Sequence, residues 1–146
     1  MGKSVQDLIN SGEIKQRIGE DDFAQIITLD LTDMGLTSLK GIEHFINLSN
    51  FICFKNKLTS IEEVSSIKYI RILDCRKNSL NTLKGIENLG LMLFMFDGNP
   101  CERKYKNLST DEIQEKIKLE KHLKAGDERR GAASISDTGL FDFKIN

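Results

Sequence analysis

The sequence predicts an α/β fold: a solenoid with a short parallel concave sheet of about four strands and helical caps at both ends. Three observations predict it. A 22-residue pattern recurs between residues 27 and 100. Within each copy, apolar residues first alternate and then fall three apart. Helix signals flank the repeats on either side. Internal periods of this length mark chains that stack supersecondary units and bury a continuous core between them. The expected organisation is an N-terminal helical cap at 1–26, repeats at 27–100, a C-terminal cap helix at 101–126, and a linker with an apolar tail at 127–146.

The N-terminal stretch reads as two short helices. Ser4 can cap the first, whose apolar residues are Val5, Leu8 and Ile9. Asn10-Ser11-Gly12 breaks it. Ser11 opens a second, with Ile14 and Ile18 on one side and Gly19 at its end. A stacked array leaves the core of its first unit bare, so these helices are the expected cover.

The first copy runs from Ile27-Thr28-Leu29-Asp30-Leu31 through Met34, Leu36, Leu39, Ile42, Phe45 and Leu48. Adding 22 gives Phe51, Cys53, Asn56, Leu58, Ile61, Val64, Ile67 and Ile70; adding 22 again gives Leu73, Cys75, Asn78, Leu80, Leu83, Ile86 and Leu89. One residue is then dropped before a partial copy with Phe94, Phe96 and Asn99. Alternation in Leu29-x-Leu31, Phe51-x-Cys53, Leu73-x-Cys75 and Phe94-x-Phe96 is the period of a strand with one face inward. A buried asparagine after each strand can serve the backbone groups that a tight turn leaves unpaired. The later apolar residues, three apart, suit 3₁₀ or helical turns on the convex side.

These features resemble the leucine-rich repeat family. The similarity is to its 22-residue class, typified by the phosphatase-1 regulatory subunit type and by bacterial internalins. Leu36-Thr37-Ser38-Leu39-Lys40-Gly41-Ile42 and Leu80-Asn81-Thr82-Leu83-Lys84-Gly85-Ile86 carry its L-x-x-L-x-G-I signature, and Asn99-Pro100 looks like its last-repeat ending. The resemblance covers residues 27–101 and implies a leucine-rich-repeat solenoid. Two features depart from the pattern. Met34 stands where the first ladder asparagine is expected. The segment after Cys101 lacks the Tyr-Arg and Leu-Asp cap signature of ciliary and splicing members.

Ser109 and Glu112 form a capping box for a helix expected from Thr110 to about Lys124, ending near Gly126. Ile113, Ile117, Leu119 and Leu123 are expected to cover one broad face, with Glu112/Lys116 and Glu120/Lys124 as supporting pairs. From Asp127 the composition turns to linker. It closes on Phe141, Phe143 and Ile145, an alternating apolar cluster that docks either on the chain's own body or on another molecule.

Composition narrows the function. With 21 basic and 22 acidic residues the net charge is −1, so no global field attracts nucleic acid. Residues 27–100 carry eight of each sign. No apolar run reaches membrane-span length. No secretory signal opens the sequence, and three cysteines, an odd number, suit reduced thiols in a cytoplasmic protein. Cys53 and Cys75 share a slot in successive copies, within disulfide range, and read as small buried hydrophobes. His44 and His122 lack metal-ligand spacing, so no metal and no cofactor is expected. Asp30, Asp33, Asp74 and Asp97 read as exposed carboxylates on a solvated charged face rather than as acid–base pairs. No enzyme is expected.

The outward strand positions carry the functional expectation. Across the copies they form three columns: Thr28, Asn50, Ile72, Leu93; then Asp30, Ile52, Asp74, Met95; then Thr32, Phe54, Arg76, Asp97. Ile52, Phe54, Ile72, Leu93 and Met95 thus gather on a face that folding does not require to be apolar. With Asp74 and Arg76 at the rim, this is the make-up of a protein-binding site. The expected function is a recognition module, a scaffold, adaptor or inhibitor, whose protein partner sits on the concave face. It is either a monomer alone or a subunit of a larger assembly. One alternative is a structural subunit anchored by its tail. Another is a phosphate-rich partner held along Lys55, Lys57, Arg76 and Lys77.

Overall fold

The computed structural model describes residues 2–20 and 22–130, with side chains as far as Leu123. It is an α/β fold built on one four-stranded parallel sheet in sequential order: β1 (Thr28–Asp30), β2 (Asn50–Ile52), β3 (Ile72–Asp74) and β4 (Leu93–Met95). Thr28 pairs with Asn50, Asn50 with Ile72, and Ile72 with Leu93. These offsets are 22, 22 and 21 residues, so the sequence repeat, with its one dropped residue, is the register of the sheet. Leu29, Phe51 and Leu73 point into the core and are fully buried, and Phe94 follows at 9% exposure. The residues spaced three apart lie opposite them, with 3₁₀ turns at Ile42–His44 and Glu62–Ser66.

Buried asparagines join one copy to the next. Asn78 donates Nδ2 to the carbonyls of Cys53 (3.0 Å) and Cys75 (3.1 Å), and its Oδ1 accepts from the Leu58 amide at 3.0 Å. Asn56 does the same for Leu31, Cys53, Met34 and Leu36. Asn99 does so for Cys75, Phe96 and Leu80. Each amide therefore reaches back to the preceding copy. That is why Met34 can stand in the first slot: no copy precedes it. The flank is taken by a helix instead, whose Arg17 donates Nε to the Asp30 carbonyl at 2.8 Å and reaches the Met34 sulfur at 3.7 Å.

That flank is built from α1 (Val5–Asn10) and α2 (Glu13–Ile18). Ser4 and Asp7 form a reciprocal capping box on α1. Ser11 is not the N-cap of α2. Gly12 holds that position at φ 83, and the Ser11 hydroxyl accepts from the Glu13 amide. Val5, Leu8 and Ile14 are fully buried against the first copy.

Gly41 and Gly85, the glycines of the shared signature, sit at φ 103 and 117. A Cβ on Gly85 would lie 2.6 Å from the Ile61 carbonyl oxygen and 2.8 Å from Glu62 Cα, so a side chain there would push the copies apart.

The far end is closed by α3 (Glu102–Tyr105) and α4 (Thr110–Arg130). No sequence signal anticipates α3. It places Tyr105 fully buried, edge-on to Phe96 at 6.4 Å. The Ser109–Glu112 capping box forms, with bonds of 2.8 and 3.1 Å. Glu112 is thereby committed to the cap rather than to Lys116, and Glu120 pairs with Lys104 at 3.0 Å. Ile113 and Ile117 are buried, but Leu119 and Leu123 are 57% and 44% exposed. The broad apolar face therefore divides in two, because the helix meets the body along one line only. The helix also runs past Gly126, where one glycine costs only about 1 kcal/mol relative to alanine. Among the described residues, no helix is long and apolar enough to cross a membrane.

Two polar contacts seat α4. Gln114 donates to the carbonyls of Ile86 and Leu89 at 2.8 and 2.7 Å. Lys121 meets the buried Glu87 at 2.9 Å. Burial pushes the Glu87 carboxyl up, but the hydrogen bonds and charge of Lys121, with backbone amides, more than offset it and hold the carboxyl below its ordinary range. A lowered carboxyl pKa stabilises the fold above the unfolded value and stops doing so as pH falls through the folded one. Glu87→Gln should lower the thermal midpoint at pH 7, and the gap from wild type should close below about pH 4; a gap that persists in acid would detach it from Glu87 ionisation.

Asn78→Ala leaves the buried Leu58 amide without a partner, at about 1–3 kcal/mol, and takes from the Cys53 and Cys75 carbonyls one of the two asparagine bonds each accepts, at about 0.5–1.5 kcal/mol apiece. Urea denaturation should show a loss of at least about 2 kcal/mol, whereas Met34→Leu, a volume-conserving change, should cost under about 1.5 kcal/mol. Equal losses at both positions would remove the asparagines' special role.

Candidate protein-binding face

Strand alternation fixes which side chains face outward. Leu29, Phe51, Leu73 and Phe94 take the inner side, so their neighbours on the strands take the outer one. Two of the three expected columns are present in the pairing register, Thr28–Asn50–Ile72–Leu93 along one row and Asp30–Ile52–Asp74–Met95 along the next, and the third, Thr32, Phe54, Arg76 and Asp97, lies just past the strand ends. Ile52, Phe54, Ile72 and Met95 are half-buried, and Leu93 is 47% exposed. Strand neighbours lie about 4.8 Å apart, so the three apolar positions on β3 and β4 (Ile72, Leu93 and Met95) are adjacent to one another.

Asp74 departs from expectation. It was expected as an exposed rim carboxylate, yet only 4% of it is exposed. Arg76 covers it. The guanidinium donates Nε to Oδ1 at 2.9 Å and Nη2 to Oδ2 at 2.7 Å, and the Arg76 amide adds a third bond at 3.1 Å. Burial pushes the Asp74 carboxyl up, but these bonds and the Arg76 charge bring it below its ordinary range. Asp30 plays the local part of Asp74 in the first copy, accepting from the Thr32 amide at 3.0 Å, and stays exposed because threonine cannot cover it. The sequence placed these two aspartates in one column but did not show that the residue two positions on decides their burial.

Arg76 is engaged on its other face as well. Its guanidinium carbon sits 5.1 Å from the centre of the Phe54 ring, within cation–π range. Phe54, Arg76 and Asp74 form one stack that crosses from β2 to β3. Arg76 is therefore not a free cation for phosphate, and the edge of Lys55, Lys57, Arg76 and Lys77 reduces to three lysines. Lys55 and Lys77 hold the left-handed turn, at φ 61 and 56, in the slot that Gly98 fills at φ 77 in the last copy.

Directly behind the face lie Cys53 and Cys75, both fully buried, with free thiols. Burial pushes each thiol up, and the nearby Asp74 charge adds to it. They remain protonated at neutral pH and serve as core. No group of three or more His, Cys, Asp or Glu side chains among the described residues could hold a metal ion. The tail residues Phe141, Phe143 and Ile145 lie outside the described residues.

Two residues escaped the sequence reading. Met92, immediately before β4, is 81% exposed, and Tyr69, shortly before β3, is 61% exposed. Together with Leu93 they carry apolar surface to the entry end of the last two strands. The exit end carries Asp33, Lys55, Lys57, Lys77 and Asp97, all exposed. The columns ended at the strand boundary, which hid this asymmetry; three methionine or leucine side chains within four residues, Met92 to Met95, were the available signal.

Comparison with protein-family models and with curated proteins returned no match.

Arg76→Ala should lower the urea midpoint at pH 7, because it leaves Asp74 buried without its cation. In that variant the backbone amide of residue 76 still bonds Asp74, but the guanidinium no longer opposes the burial that pushes the carboxyl pKa up, so the deficit should shrink as pH falls toward 4 and Asp74 takes up a proton. A deficit that does not change with pH would mean the arginine acts through packing alone.

Proposed function

We propose that this chain is a leucine-rich-repeat solenoid that recognises a protein partner on the outward, concave face of its sheet. It acts there as a scaffold, adaptor or inhibitor rather than as an enzyme. The solenoid reading is supported by the constant strand register, by the asparagines that link successive turns and by the repeat in the sequence. The binding reading rests on one observation: Ile52, Phe54, Ile72, Leu93 and Met95 stand together on the outward face, while the core is closed without them.

An apolar face of this kind is worth covering. Removing apolar surface from water yields about 25 cal/mol per Å². Leu93 and Met95 are the better anchors for a partner, since the Phe54 ring already carries Arg76. The polar surround is mixed in sign, which favours a protein over a polyanion.

Affinity capture from cell extract with wild type and with Leu93→Ala/Met95→Ala tests this. A partner that uses the face should bind the double variant at least about 2 kcal/mol more weakly, roughly thirtyfold, with the thermal midpoint little changed. A partner held equally by both proteins would place recognition elsewhere.

A further inference from the structure

The apolar surface is concentrated at one corner of the sheet. Ile72 and Leu93 pair across β3 and β4, and Met95 lies two residues beyond Leu93 on the same face. Met92, just before β4, and Tyr69, shortly before β3, add exposed apolar side chains at the strand entry, at 81% and 61% exposure. Among the described residues, apart from Leu119 and Leu123 on α4, the most exposed large hydrophobic residues all lie at or before the entry of a strand: Ile27, Ile46, Tyr69, Met92 and Leu93. Such surface is costly to leave in water.

The C-terminal helix is anchored to the stretch that leads into β4, on the side of the core opposite the strands. Gln114 bonds the carbonyls of Ile86 and Leu89, and Leu89 is three residues before Met92. Lys121 holds Glu87 in the same stretch. The helix runs nine more residues to Arg130, about 14 Å at 1.5 Å per residue. Ten residues then separate Arg130 from Phe141, enough chain to span up to about 33–36 Å. A four-stranded sheet is only about 14 Å wide. Reach therefore does not limit a return to the corner.

The chemistry of the chain end matches. Phe141, Phe143 and Ile145 alternate, so an extended segment would present all three on one side, about 7 Å apart. That is also the spacing of Leu93 and Met95 along β4. We propose that residues 141–145 of the chain dock, in extended form, on the corner made by Ile72, Met92, Leu93 and Met95 of the same molecule. The docked segment competes there with the protein partner. The competition rests on the binding role given to this face above; the docking itself does not.

The four methionines of the full chain supply the probe. Spectra of protein labelled at the methionine methyls are compared between wild type and Phe141→Ser/Phe143→Ser/Ile145→Ser. The expected result is movement of the Met92 and Met95 signals, with the half-buried Met34 in place as a check on the fold. Unmoved Met92 and Met95 signals overturn the docking, as does a wild-type position that changes on dilution, since that places the segment on a second copy. A partner still sensitive to Leu93→Ala/Met95→Ala would then keep the binding face while the tail is lost from it. Conversely, methyl shifts with a partner indifferent to those residues would keep the docking and overturn the competition.

Discussion

The chain reverses direction between strands that lie only 22 or 21 residues apart, and each reversal strands backbone polar groups in the interior. Water cannot reach them, and a buried carbonyl or amide without a partner costs about as much as a lost hydrogen bond or more. The side-chain amides of Asn56, Asn78 and Asn99 meet that need. Only an amide carries two donors and an acceptor in one planar group, so only it bonds two carbonyls and an amide N–H at once. Leucines and isoleucines around it supply most of the favourable free energy, but other large apolar side chains of similar volume would serve. The amides are less replaceable. They tie each turn to the one before it, and so they fix the spacing of the strands and the alignment of the outward columns.

This is also why the architecture was legible. A constraint that recurs at every turn writes the same residue at the same interval, and the period follows from it. Strand positions, inward columns and the first cap helix could all be read from that period and from helix-cap chemistry. The ends were harder. Gly12 rather than Ser11 begins α2, and α3 left no signal, because a helix of four residues has no room for an apolar repeat. Leu119 and Leu123 looked like core on spacing alone. Whether an apolar helix position is covered depends on how far the helix runs past the body, and spacing carries no information on that.

The face was half legible for a related reason. Its columns follow from alternation and register, which are local rules. The burial of Asp74 follows from the length and planarity of the side chain at 76, which bends back to clamp the carboxylate with two bonds. At the equivalent position of the first copy, Thr32 has neither property, and Asp30 stays exposed. Column identity alone treats the two aspartates as equals. Side-chain reach across one column separates them.

Under the proposed binding role, that clamp decides what kind of recognition the face would perform. A free arginine beside exposed carboxylates would read charge, and its contribution would be screened by salt. Here the guanidinium already satisfies Asp74 and lies on Phe54, so a partner that took it would first have to break bonds of 2.7 and 2.9 Å. The arginine instead lies over Phe54 and neutralises a carboxylate whose desolvation would otherwise be costly. What remains for a partner is a preformed apolar surface on strands whose turns are locked from behind by asparagine. Preformed surfaces lose little conformational entropy on binding. Methionines at 92 and 95 add some give at its edge, since the unbranched thioether adapts to more than one shape. A partner of the proposed kind would therefore meet a rigid floor with a compliant corner, and its selection would fall to the fit of apolar side chains rather than to charge.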